Sequence, residues 1–246
     1  METLKNKTAL VTGASRGIGR IIAQTLARHG AQVIVNYHSN ADAAQEVVQA
    51  IEAAGGQAKA IKANVGKPEE MAALFDQSIE AFGKVDILVN NAGIALYRKI
   101  QDTTEEEFDR VFNTNVKGVY FALKEAATKL AEGGRIVNLS TSVTRLMLPT
   151  YGAYSSSKAA VEQLTRVFAK EVGARKITVN SVSPGPVNTE LFTEGKTQEA
   201  IDRLAGMSAF NRIGEPEDIA NVVLFLVSDA AAWVTGQNLG ANGGFA

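Results

Sequence analysis

Tyr154 and Lys158, in the run Tyr154-Ser155-Ser156-Ser157-Lys158, are the residues of this chain best suited to moving a proton at a carbonyl. Positions i and i+4 share a helical face, so phenol and ammonium project to one side. A free phenol has a pKa near 10 and is only about 0.1% ionised at neutral pH. An ammonium within about 4–6 Å favours phenolate and lowers that value. The phenol then serves as an acid towards a carbonyl oxygen gaining hydride, or as a base in reverse. The same spacing also arises as a plain structural pair on a helix. Its weight here comes from its place after the fifth strand of the pattern described below.

A second set of residues suits a phosphate. Thr12-Gly13-Ala14-Ser15-Arg16-Gly17-Ile18-Gly19 follows an apolar strand and opens a helix. In such a turn one glycine permits the bend, one lets the backbone approach a pyrophosphate, and one lets the helix pack on the sheet. Free N–H groups at the helix start face the anion. The spacing is Gly-x-x-x-Gly-x-Gly, not the more familiar Gly-x-Gly-x-x-Gly, and only its position between strand and helix makes it a dinucleotide signal. An NAD site usually places an acid about 20 residues on, at the end of the second strand. Here the strand ends Asn36-Tyr37-His38-Ser39-Asn40, and the first acid is Asp42, inside the next helix. A carboxylate about 4 Å from a 2′-phosphate would repel it by roughly 4 kcal/mol at an effective dielectric near 20. None is expected there, whereas Arg16, Ser39 and the backbone near His38 can donate to a phosphate. The expected cofactor is therefore NADP(H).

The elements that must position these groups follow from the hydrophobic pattern. Short apolar runs at Thr8–Thr12, Gln32–Asn36, Ala58–Ala63, Asp86–Asn90, Arg135–Leu139 and Thr178–Ser183 read as strands. Helical spacing occupies Ile18–His29, Ala41–Ala54, Glu69–Phe82, Thr104–Ala131 and Tyr151–Gly173. Continuous apolar strands separated by helices indicate an α/β fold: a single-domain, Rossmann-type, doubly wound parallel sheet with helices on both faces. No repeat or linker divides residues 1–246. The charged, glycine-bearing stretch 189–215 follows the sixth strand, above the sheet edge where ligands bind, and is expected to act as a substrate lid. Asn90-Asn91-Ala92-Gly93 follows the fourth strand, beside the switch point, where small residues let backbone lie against a flat ring.

Composition narrows the function classes. Lys+Arg 25 against Asp+Glu 26 gives a formal charge of -1, which argues against a nucleic-acid surface. No apolar run approaches the roughly 20 residues of a membrane span, and the polar start, Met1 to Lys7, does not read as a signal peptide. The chain has no cysteine and two isolated histidines, so neither disulfides, thiolate chemistry nor a metal site is expected. A soluble, cytoplasmic protein is the expectation.

Taken together and in order, these motifs resemble the short-chain dehydrogenase/reductase family over the whole chain. The matching pieces are Thr12–Gly19, Asn90–Gly93, Asn115 in Asn113-Thr114-Asn115-Val116, the serine cluster after the fifth strand, Tyr154 with Lys158, and Pro184-Gly185-Pro186-Val187-Asn188-Thr189. The resemblance implies that Tyr154 is the general acid/base. It implies that Lys158 binds the nicotinamide ribose while lowering the tyrosine pKa, and that Asn115 holds a water relaying protons to Lys158. Pro184, Gly185, Val187 and Thr189 would meet the nicotinamide carboxamide, with Asn91, Ala92 and Gly93 nearby. Asn64, with Val65, stands where many relatives carry Asp and would accept from the adenine amino group. The family also implies a homotetramer built partly on the helices Thr104–Ala131 and Tyr151–Gly173.

The catalytic serine is ambiguous. The family places it about 13 residues before the tyrosine, a position held by Thr141 between Ser140 and Ser142. Ser142 is taken as the catalytic hydroxyl, on a one-residue shortening of the following loop, with Thr141 and Ser140 as alternates. Asn242 stands where Asp is common, with no consequence that the sequence suggests. The implied activity is NADPH-dependent reduction of a ketone. Alternatives are a 3-oxoacyl-[acyl-carrier-protein] reductase, an NAD(P)-dependent alcohol or sugar dehydrogenase, and a non-catalytic NADPH-binding protein. Lys129 beside Glu132 is a poor basic patch for an acidic carrier. The pieces Asn36-Tyr37…Ser39 and Lys62-Ala63-Asn64-Val65-Gly66 are similar to the hydroxynaphthalene reductases of the family, which favours a small or cyclic ketone.

Overall fold

The computed structural model describes residues 3–246. In chain order the elements are β1 (Thr8–Val11), α1 (Gly17–Arg28), β2 (Gln32–Tyr37), α2 (Ala41–Ala53), β3 (Gln57–Lys62), α3 (Pro68–Phe82), β4 (Val85–Asn90), α4 (Glu105–Phe112), α5 (Gly118–Lys129) and β5 (Leu130–Leu139). They continue with α6 (Val143–Leu146), α7 (Gly152–Glu171), β6 (Thr178–Pro184), α8 (Glu190–Thr193), α9 (Gln198–Ala205), α10 (Pro216–Val227) and β7 (Asn238–Ala241). Seven strands pair in parallel in the order β3-β2-β1-β4-β5-β6-β7. The chain moves outwards from β1 towards β3, then returns to β4 and moves the other way. The crevice between β1 and β4 is thus the switch point.

Strand alternation divides the core between the two faces of the sheet. On β1, Ala9 and Val11 meet Ile22 and Leu26 of α1 and Ile219 and Val223 of α10. Leu10 turns the other way, to Leu74 and Phe75 of α3 and Leu123 of α5. Because both faces are covered, every residue of β1, β4 and β6 is buried. Most of β1 and the middle of β4 are apolar, whereas β6 carries Asn180, Ser181 and Ser183, whose side chains bond Val234 O, Gln237 O and Asn238 Oδ1. No helix among the described residues is long and apolar enough to cross a membrane.

Three features differ from the sequence expectations. The single helix expected over Thr104–Ala131 is two helices joined by a π-helical turn at Asn113–Lys117, and its last residues already belong to β5. The break brings the buried Asn115 side chain inward, where it bonds the backbone of Ile94 on both its N–H and C=O sides. The edge strand β7 was not expected. Its Asn238-Leu239-Gly240-Ala241 has little strand propensity, and it forms because β6 offers a backbone ladder. Helix α10 was also absent from the expected set. Its signal is Pro216 at the first turn, with a capping box between Glu215 and Asp218.

Candidate active site

The glycine turn is stitched to the Asn90–Gly93 turn across the switch point. The Thr12 hydroxyl accepts from the backbone N–H of Asn91 and Ala92 at 3.0 and 3.1 Å. The Asn91 side chain donates to the carbonyls of Thr12 and Gly13 at 2.9 and 3.0 Å. A Cβ on Gly13 would lie 2.9 Å from Ala92 Cα, and one on Gly19 would lie 2.4 Å from Asn91 Nδ2. Gly13 and Gly17 also hold φ at +61° and +52°, where side chains are strained. Helix α1 starts with no side-chain cap and no acid in its first turn, unlike α3, α4 and α10. Its first N–H groups therefore point into the cleft unmatched, with the positive end of the helix behind them. The exposed Arg16 guanidinium makes no hydrogen bond or ion pair among the described residues. His38 and Ser39 lie exposed on the same cleft. A cradle with open donors, an unpaired guanidinium and no carboxylate at the end of β2 fits a phosphorylated dinucleotide.

One cleft of about 630 Å³ runs along the carboxyl edge of the sheet, and every expected site residue except Asn115 lines it. Three of the expected asparagines make hydrogen bonds within the protein. Asn36 is buried. Its Oδ1 accepts from Gly13 N–H at 3.2 Å and its Nδ2 donates to the carbonyls of Ile61 and Ala63, so it braces the loop and offers no free donor to a phosphate. Asn64 Oδ1, the expected adenine acceptor, accepts from Gly66 N–H at 3.0 Å and has a second lone pair for a further donor. Asn115 lies behind the cleft. Besides its two bonds to Ile94, its Nδ2 donates to Ser157 Oγ at 3.0 Å, which leaves the side chain no free amide proton for a relay water.

At the chemical end, α7 presents Tyr154 and Lys158 to the cleft as the i, i+4 spacing predicts. Gly93 lets the Asn90–Gly93 turn close over them: a Cβ there would lie 3.2 Å from Lys158 Nζ and 3.3 Å from Asn115 Oδ1. The expected lowering of the tyrosine pKa is not what this geometry yields. Burial pushes the Tyr154 phenol up to about 12, and contact with Thr141 offsets this only in part. Burial also pulls the Lys158 ammonium down to about 8. The lysine donates to Leu139 O at 2.8 Å, at the end of β5, so its charge is directed to the strand end and not at the phenol.

Of the three consecutive hydroxyls, Thr141 is the one whose contact lowers the pKa of the Tyr154 phenol, and its Oγ1 also accepts from Val143 N–H at 3.4 Å. Ser142, the expected choice, is turned away. Its hydroxyl donates to Ser183 O at 3.3 Å and accepts from Asn242 Nδ2 at 3.0 Å. Ser140 donates to Glu162. No loop shortening is needed, because the residue 13 positions before Tyr154 already faces it. The same contacts give Asn242 a role: it holds Ser142 and the carbonyl of Ala246.

Sequence reasoning missed the wall beside Tyr154. The Tyr97 and Tyr151 rings lie 4.8 Å apart, with Tyr154 next in line at 6.4 Å from Tyr151. Leu148, Phe192, Leu204 and Phe245 complete an apolar chamber. The spacing of Tyr151 and Tyr154, three apart at a helix start, was the available signal for part of it. The segment after β6 arches over this chamber and closes at its base, where Asn188 N–H bonds Gly214 O and Gly214 N–H bonds Pro186 O, both at 2.8 Å. Its Lys196 ammonium sits 4.9 Å from the Tyr97 ring and 4.6 Å from that of Phe192, tying the arch to the aromatic wall.

Comparison with known proteins agrees with this geometry. A family model described as enoyl-(acyl carrier protein) reductase matches residues 13–246. A short-chain type dehydrogenase/reductase of Picea abies is 44% identical, over 98% of this chain and 93% of that protein. Versicolorin reductase stcU of Emericella nidulans is 43% identical, over 98% and 96%. The crystal structure of the angucycline C-6 ketoreductase LanV with bound NADP is 41% identical and superposes with a TM-score of 0.94, over 99% of this chain and 96% of that one.

Proposed function

The chain belongs to the short-chain dehydrogenase/reductase family, and from that premise we propose that it is an NADPH-dependent reductase of cyclic ketones with Tyr154 as the general acid. The observation that carries this reading is the single cleft with a phosphate cradle at one end and Tyr154, Lys158 and Thr141 beside an aromatic chamber at the other. NADPH, when bound, would supply the hydride for the carbonyl carbon. The backbone N–H groups of the glycine turn would hold the pyrophosphate, with Arg16 and Ser39 at the 2′-phosphate. Thr141 orients the carbonyl oxygen by a hydrogen bond, and Tyr154 gives that oxygen its proton. A phenol at about 12 is fully protonated at neutral pH, yet it is still more acidic than the alcohol that forms. The acid is therefore loaded for reduction.

Lys158 would hold the nicotinamide ribose through the ammonium donors not used on Leu139 O. Asn115 acts by clamping Ile94 and Ser157. We further read the chain as one domain in which residues 189–215 form a lid, and as a homotetramer, for which exposed Phe108, Tyr120 and Val167 on α4, α5 and α7 supply apolar surface. The names of the versicolorin and angucycline relatives, together with the Tyr97–Tyr151 wall, support a ring-bearing substrate. A carrier-bound substrate is less well served. Lys129, the cation nearest a docking role, is already paired with Asp76 and Glu125 at 2.6 and 3.0 Å.

The test is turnover of NADPH against cyclic ketones and β-ketoacyl thioesters, followed as a function of pH. Cyclic ketones are expected to be the faster substrates. The lysine carries its charge below its pKa of about 8 and loses it above. The kcat for reduction should therefore be level at neutral pH and fall as pH rises past about 8. A rate that climbs through that range, or thioesters turned over faster, would overturn the reading.

A further inference from the structure

Helix α7 carries a third polar residue on the face that bears Tyr154 and Lys158. Glu162 is one further turn along, 9% exposed, and plays no part in the chemistry described so far. Its Oε1 accepts from Ser140 Oγ at 2.7 Å and lies 2.9 Å from Thr144 Oγ1, whose single proton is shared between this carboxylate and Thr141 O at 3.0 Å. These two residues bracket Thr141. The Arg166 guanidinium lies 3.8 Å from the other carboxylate oxygen. The turn between β5 and α6 is also held by backbone bonds from Ser140 N–H to Val182 O at 2.7 Å and from Ser142 N–H to Pro184 O at 2.9 Å. Those bonds fix the chain before and after Thr141 on the β6 side, and the carboxylate fixes it on the α7 side.

We infer that Glu162 is a positioning residue for catalysis: by gathering the Ser140 and Thr144 hydroxyls onto one carboxylate oxygen, it holds Thr141 against Tyr154. The inference rests on the reading of Thr141 as the hydroxyl that orients the carbonyl. Hydrogen bonds to a charged acceptor are about twice as strong as neutral ones, so this oxygen is a firm anchor. Helix α7 supplies both the acid and the anchor, so the turn that carries Thr141 is tied to the same helix that carries Tyr154. That tie matters, since a displacement of about 1 Å at reacting groups can cost about a hundredfold in rate.

The experiment is a double-mutant cycle between Glu162→Ala and Thr141→Ala in the full-length enzyme, with kcat, KM for the ketone and Kd for NADPH measured for each. Thr141→Ala is expected to lower kcat by about thirtyfold, in line with the loss of one oriented donor. Glu162→Ala should lower it by about tenfold, with Kd for NADPH changed less than about twofold, and should add less than about twofold in the Thr141→Ala background. Glu162→Gln, which keeps an acceptor oxygen, should restore kcat to within about threefold of the parent. If Glu162→Ala does not fold, Ser140→Ala removes the shorter of the two bonds to the carboxylate, and its smaller loss should likewise vanish in the Thr141→Ala background. A slow Thr141→Ala enzyme in which the Glu162→Ala or Ser140→Ala loss persists undiminished, or a parallel loss of NADPH affinity, would overturn the positioning role alone. Near-normal turnover by Thr141→Ala would overturn the reading of Thr141 and the inference with it.

Discussion

Replacing Tyr154 with phenylalanine is expected to lower kcat for ketone reduction by about a thousandfold, within the range typical of a lost general acid. That corresponds to about 4 kcal/mol of transition-state stabilisation. The ring stays, so the wall with Tyr151 stays too, and only the hydroxyl facing Thr141 is lost. The cradle for the phosphates is built from the glycine turn and α1, away from this hydroxyl. The Kd for NADPH, read by fluorescence titration, should therefore change by less than about twofold, and the melting temperature by only a few degrees. A variant that keeps more than a tenth of the parent's kcat would mean that another group delivers the proton. A variant that loses NADPH affinity in proportion to rate would mean that Tyr154 serves binding.

The second large effect concerns the other end of the cleft. Arg16→Ala should weaken NADPH binding by about tenfold to thirtyfold while leaving NADH within about twofold. A hydrogen bond to a charged group contributes about 1.5–3 kcal/mol, and exposure puts Arg16 towards the lower end. Arg16 has no intramolecular partner among the described residues, so its removal leaves no buried group unmatched and should not disturb the fold. The loss should shrink as salt is raised, because the contact is exposed. Equal weakening of both cofactors would assign Arg16 to the pyrophosphate, and no change would assign it to solvent.

The scaffold was legible where burial is complete. The runs that became most of β1 and the middle of β4 are apolar on both faces because the sheet is covered on both faces, and the order of strands and helices along the chain implied the parallel topology. The glycine turn was legible because steric exclusion leaves glycine as the residue that fits: Gly13 and Gly19 each touch the opposite turn closely. The Tyr154–Lys158 pair followed from helical spacing.

What could not be read depends on where side chains turn at the ends of elements. Three adjacent hydroxyls at Ser140, Thr141 and Ser142 are equivalent on paper, and only the twist at the end of β5 gives Thr141 to Tyr154, Ser140 to Glu162 and Ser142 to Ser183. Asn36 has the right chemistry for a cofactor, yet the nearest backbone groups engage both its oxygen and its nitrogen. The tyrosine pKa went the other way because proximity along a helix does not fix where an ammonium points. Lys158 donates to Leu139 O, and burial prevails over charge. Likewise the π turn that carries Asn115 inward has no period that a helical pattern could reveal.

The most direct measurement is the fate of a label. Reduction of a cyclic ketone by the parent enzyme, with NADPH deuterated on either face of nicotinamide C4 in separate runs, should place one deuterium on the carbinol carbon from one face and none from the other. Tight NADPH binding with no deuterium reaching carbon from either face, across the whole set of ketones, would contradict a hydride-transferring reductase and leave a protein that binds the nucleotide for another purpose.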